Sequence, residues 1–103
     1  MSTIKSAGKV VKVLKALRGH SLKGVSVTEL AKQLGESPSQ VHRALQTLVD
    51  EGLALQLEDE SYALGNVIVQ IAHAHVEELN RAQGHINEHI QRVWAGARQI
   101  QGA

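Results

Sequence analysis

The sequence predicts a mainly α chain: three short helices, a two-stranded hairpin, then a long C-terminal helix or helix pair. Three observations predict it. Two serine-headed capping patterns, Ser26-Val27-Thr28-Glu29 and Ser37-Pro38-Ser39-Gln40, each open a stretch with apolar residues at helical spacing. Leu53, Leu55 and Leu57 alternate with Ala54 and Gln56, the period of a strand, ahead of the polar turn Glu58-Asp59-Glu60. From Asn66 onward no proline occurs, and apolar residues recur every three or four positions.

The elements follow in order. Val10, Val11, Leu14 and Leu17 set a first helix from about Ser6 to Arg18, stopped by Gly19. Val25-Ser26-Val27 is a very short strand. Ser26 then caps a second helix with Leu30, Ala31 and Leu34 on one face, and Gly35 suits the left-handed residue after it. Ser37 caps the third helix at once, with Pro38 at the first helical position, where its missing N–H costs nothing. Val41, Ala44, Leu45 and Leu48 form its apolar stripe, and Gly52 ends it. Two helices joined by only Gly35-Glu36-Ser37 make a helix-turn-helix. Ser61-Tyr62-Ala63-Leu64 returns as the second strand of a wing, with Tyr62 and Leu64 on one face. The whole is a winged helix-turn-helix in residues 1–65, followed by a helical segment in residues 66–103.

In that last segment Ile68, Ala72, His75, Leu79, Ala82 and Ile86 make a heptad-like seam. It resumes after one extra step of four at Ile90, Val93, Ala97 and Ile100. Gly84 is the position where a break would give two helices. The winged domain is too small to cover the far end of this seam, so a second copy is expected there. Leu79, Ile86, Ile90 and Val93, with Trp94 beside them, are the expected contacts of a homodimer or higher homo-oligomer.

Composition narrows the function. The chain has 103 residues, too few for a barrel or doubly wound enzyme. Tyr62 and Trp94 are its only aromatics, which leaves no platform for stacking single-stranded bases. The absence of cysteine excludes disulfides, thiolate zinc sites and a cysteine nucleophile, and fits a reducing compartment. No apolar run is long enough for a membrane span or signal peptide, so a soluble cytoplasmic protein is expected. Residues 1–50 carry eight Lys and Arg against three acids, a net +5, whereas residues 51–103 net −4. A basic first half points to a polyanion.

The third helix supplies the chemistry. Opposite its apolar stripe lie Ser39, Gln40, His42, Arg43, Gln46 and Thr47. Such side chains bond base edges, Arg to guanine and Gln to adenine among them. The free face lacks the Glu and Lys that usually cover an idle helix surface. Ser37 and the helix N-terminus can meet a phosphate oxygen, and Lys9 and Lys32 can neutralise phosphates nearby. The partner expected is double-stranded DNA, with residues 38–51 in the major groove. The acidic wing tip should be repelled by phosphate. The alternative is a protein-binding winged-helix adaptor that uses the same face without touching DNA.

These residues resemble a known family, the regulators of the isocitrate-lyase-regulator (IclR) type. Ser6-Ala7-Gly8-Lys9-Val10-Val11-Lys12-Val13-Leu14-Lys15-Ala16-Leu17 is similar to the family's first helix and Val27-Thr28-Glu29-Leu30-Ala31 to its second. Ser39-Gln40-Val41-His42-Arg43-Ala44-Leu45-Gln46-Thr47-Leu48 through Gly52-Leu53 resembles its recognition helix, and Tyr62-Ala63-Leu64-Gly65 the end of its wing. The resemblance implies sequence-specific DNA binding as a dimer and transcription regulation. Lys9 stands where the family commonly has Arg, and the family's proline lies one position before Pro38. The effector-binding domain that follows the wing in that family is absent from this sequence, and the resemblance carries over no ligand.

One other pattern touches on catalysis. His85-Ile86-Asn87-Glu88-His89 matches the H-x-x-E-H of inverted zinc proteases. A catalytic zinc needs a third protein ligand, and no Asp or Glu follows Glu88. No catalytic residue, metal or cofactor is therefore expected.

Overall fold

A computed structural model describes residues 2–102. The order is α1 (Lys5–Ala16), α2 (Val27–Leu34), α3 (Pro38–Asp50), β1 (Ala54–Gln56), β2 (Tyr62–Leu64) and α4 (Asn66–Gly102). This is a winged helix. The strands pair antiparallel, with Ala54 opposite Leu64, Leu55 opposite Ala63 and Gln56 opposite Tyr62. The short strand expected at Val25 is a single bridge. Val25 and Tyr62 exchange both N–H···O bonds at 2.9 Å, and Val27 already belongs to α2.

The caps act locally as the residue types dictate. Ser26 Oγ accepts from Glu29 N at 3.1 Å, and Ser37 Oγ accepts from Gln40 N at 3.3 Å. Gly35 closes α2 at φ 65°, a left-handed backbone that glycine adopts without strain. The reciprocal half of each capping box gives way to side-chain partners. Glu29 accepts instead from Gln33 and Gln40 from Lys9.

The core lies between the three helices and the wing. Leu17, Leu30, Val41, Leu45 and Tyr62 are its largest fully buried side chains. On α1 the inward residue is Val13, joined by Leu17 at the C-cap, with Val10 and Leu14 half in. Val11, expected inward, is 46% exposed because it stands about 100° round the helix from Val10. The wing also differs from its leucine alternation. Ala54 is buried and Leu55 is 39% exposed. Backbones approach closely beside Ala54: a Cβ on Gly65 would stand 2.6 Å from Ala54 N, which keeps position 65 a glycine.

The chain divides into two compact units, Met1–Gln70 and Ile71–Ala103. The second consists of α4 residues. α4 is one helix of 37 residues, about 55 Å at 1.5 Å per residue, and it passes through Gly84 unbroken. The two-helix alternative is thus settled in favour of one. Each glycine costs about 1 kcal/mol, but the Ala, Glu, Gln and Arg around Gly84 favour the helix. Its face carries i,i+4 pairs: His73 to Glu77 at 2.7 Å, Arg81 to Glu77 at 3.8 Å and Gln83 to Asn87 at 3.1 Å. Among the described residues no helix is long and apolar enough to cross a membrane.

Candidate nucleic-acid interface

The outward side of α3 is built by its inward side. Val41, Ala44, Leu45 and Leu48 are buried against α1 and α2, which fixes the rotation of the helix. Ser39, Gln40, His42, Arg43, Gln46 and Thr47 are consequently all exposed, as are Ser37 at the cap and Lys32 on α2. The six polar residues of α3 therefore share one face of the helix, with Ser37 at its N-terminal end.

They differ in what they have free to offer. Arg43 pairs with no acid among the described residues, so its guanidinium fork stays open for a planar acceptor. Thr47 Oγ1 donates to Arg43 O at 3.1 Å, leaving its oxygen as an acceptor. His42 Nε2 and Gln46 Nε2 lie 3.5 Å apart, so these two present their polar ends together. Ser37 and Ser39 hydroxyls stand 3.4 Å apart at the helix N-terminus. Lys9 reaches across from α1. Its Nζ lies 3.5 Å from Gln40 Oε1 and 4.0 Å from Glu36 Oε2.

Between α1 and α3 runs an open groove of about 460 Å³. Lys5, Lys9, Lys12 and Arg43 line it, against Glu36. Lys5 and Lys12 join the cations expected from the sequence. Their signal was there: positions 5, 9 and 12 step by four and three, one face of a helix. With Arg43 they give this side of α3 a concentrated positive charge.

The wing tip has the opposite sign. Glu58, Asp59 and Glu60 are exposed, and Glu60 takes φ 68°, rare for a residue with a Cβ. Asp59 accepts from the hydroxyl and the backbone N–H of Ser61. Those two bonds, the hydroxyl's first, hold its carboxyl below the ordinary carboxylate value.

On α4 the residues expected to hold a partner are exposed: Leu79, Ile86, Ile90, Val93 and Trp94. His85 and His89 lie one turn apart on the same helix. Among the described residues no three His, Cys, Asp or Glu side chains gather where a metal could be held.

Comparison with known proteins agrees with this geometry. The family model of the IclR helix-turn-helix domain matches residues 6–58. The structure of HmgR from Pseudomonas aeruginosa superposes with a TM-score of 0.67 at 31% identity, over 75% of this chain and 33% of that one. An IclR transcriptional regulator from Alicyclobacillus acidocaldarius gives 0.61 at 27% identity, over 68% and 28%. The repressor BlcR of Agobacterium tumefaciens gives 0.59 at 20% identity, over 72% and 29%, a likeness of fold. The chain thus spans about a third of the length of these solved proteins. No curated protein matches it.

Proposed function

The chain belongs to the IclR helix-turn-helix family, and from that premise we propose that it is a transcription regulator binding a specific double-stranded DNA sequence as a dimer. The observation that carries this is the surface of α3. One buried stripe fixes a face of exposed donors and acceptors beside a groove of four cations. Shape and charge then act together: α3 enters the major groove while the α1 lysines on the far wall of the basic groove meet a phosphate strand.

The roles divide accordingly. Arg43, Gln40, His42, Gln46 and Thr47 face base edges. Ser37, Ser39 and the N-terminal amides of α3 meet phosphate, and Lys9 and Lys32 add positive charge at the flanks. The acidic wing tip stays off the backbone, so α3 and the groove supply the contacts. Residues 1–65 form the DNA-binding domain and residues 66–103 the dimerisation segment, through Leu79, Ile86, Ile90, Val93 and Trp94. The protein works in the cytoplasm with its DNA and needs no catalytic group or cofactor for this role.

The test is selection of bound duplexes from a random pool, followed by affinity against salt. Enrichment of one motif is expected, with log Kd rising by roughly 0.9 per log unit of salt for each phosphate neutralised. No enrichment and a flat salt response would favour the protein-binding adaptor instead.

A further inference from the structure

Gln40 is held at both ends. Its backbone N–H donates to Ser37 Oγ at 3.3 Å, which fixes its place in the first turn of α3. Its side-chain oxygen faces the Lys9 ammonium at 3.5 Å. That ammonium is itself drawn toward this corner by Glu36, 4.0 Å away. Three elements, α1, the turn before α3 and α3 itself, thus converge on one exposed amide.

The consequence is chemical. A free glutamine reads adenine because its oxygen accepts from N6–H while its nitrogen donates to N7. A cation beside Oε1 favours the amide orientation that keeps the oxygen on the cation. The Nε2 hydrogens are then directed away from Lys9. Presented that way, Gln40 offers both amide hydrogens, while the ammonium engages one lone pair of its oxygen and repels a second donor approaching the other. Adenine answers with one acceptor and one competing donor, cytosine with a donor, and guanine with two adjacent acceptors, N7 and O6.

We propose that Lys9 is a positioning residue for base specificity: by holding Gln40 Oε1, it makes Gln40 a donor that selects guanine over adenine. The inference rests on α3 being the helix that reads DNA. It gives Lys9 a role distinct from phosphate neutralisation, which would strengthen binding to every sequence alike.

Duplex selection with four full-length proteins tests it: the parent chain, Gln40→Ala, Lys9→Met and Lys9→Arg. All substituted side chains are exposed, and equal folding is to be checked by circular dichroism. Gln40→Ala should flatten the preference at one base position, and that position should be guanine in the parent motif. Lys9→Met should shift the guanine-to-adenine ratio there toward adenine by about tenfold. Lys9→Arg, which still donates to Oε1, should keep guanine. The proposal is overturned if that position reads adenine in the parent, or if Gln40→Ala flattens nothing. It is equally overturned if Lys9→Met weakens all duplexes alike with the motif unchanged. A parent chain that enriches no motif removes the DNA-reading role itself, a result visible before any variant is compared.

Discussion

Arg43 and Lys32 are both exposed cations, yet their surroundings assign them different work. Arg43 stands on the outward face of α3 with its fork unpaired, so it can grip a guanine edge. Lys32 is in the last turn of α2, off that face. Arg43→Ala is expected to weaken the best duplex by ~1–3 kcal/mol and non-specific DNA much less. Lys32→Ala should weaken all duplexes alike and reduce the salt slope by about one phosphate. Titrations on specific and random duplexes at several salt concentrations separate the two. Tyr62 gives a second test at this scale. Its ring is 1% exposed in the core, and its hydroxyl has no hydrogen-bond partner among the described residues. An unsatisfied buried hydroxyl costs ~1–3 kcal/mol. Tyr62→Phe is therefore expected to raise the urea midpoint with the m-value unchanged.

Elements show where the sequence was readable. α2 and α3 carry serine caps and buried stripes, and both begin where those residues place them. α1 has no side-chain cap, its N-cap being Ile4, and it starts one residue before the expected Ser6. Its apolar positions are dense enough that two stripes were open, and packing chose Val13 over Val11. β1 shows the limit of period-two reasoning. Alternation identifies a strand but leaves both faces possible when Ala faces Leu. Tertiary packing decides it: Ala54 joins the buried cluster that holds Tyr62, and Leu55 is left exposed. The outward surface of α3 was legible because its inward stripe is unambiguous. The link from Lys9 to Gln40 was not, since it joins residues 31 apart through a tertiary contact. At the wing, Asp59 is set by Ser61. Because its folded carboxyl lies below the ordinary value, this turn contributes its contacts above that value and loses them as pH falls through the lowered one. Carboxylate NMR titration should find Asp59 below the ordinary carboxylate value. Ser61→Ala should return it toward the ordinary range.

At the scale of the molecule, the proposed dimer depends on α4. Leu79, Ile86, Ile90 and Val93 are each about half exposed, and pairing would remove that surface from water at ~25 cal/mol per Å². The extra step of four between Ile86 and Ile90 locally unwinds a two-stranded coil, so the strongest contacts should flank it. Ile86→Glu with Ile90→Glu is expected to give monomers by sedimentation equilibrium. The same variant should bind a single half-site as the parent does and lose the advantage of two half-sites about 34 Å apart. Unchanged mass would assign the dimer to another surface.

Trp94 is the one tryptophan of the chain. It sits on α4, 64% exposed, beside the proposed contacts and outside the Met1–Gln70 unit. Its emission is therefore a built-in optical gauge of association. In a paired α4 the indole loses water and its spectrum should lie to the blue; dilution should move it to the red while helical ellipticity from residues 5–50 persists. In urea the fluorescence midpoint should vary with protein concentration and differ from the midpoint of the buried Tyr62. Two probes in one unlabelled chain would then follow self-association and domain unfolding as separate transitions.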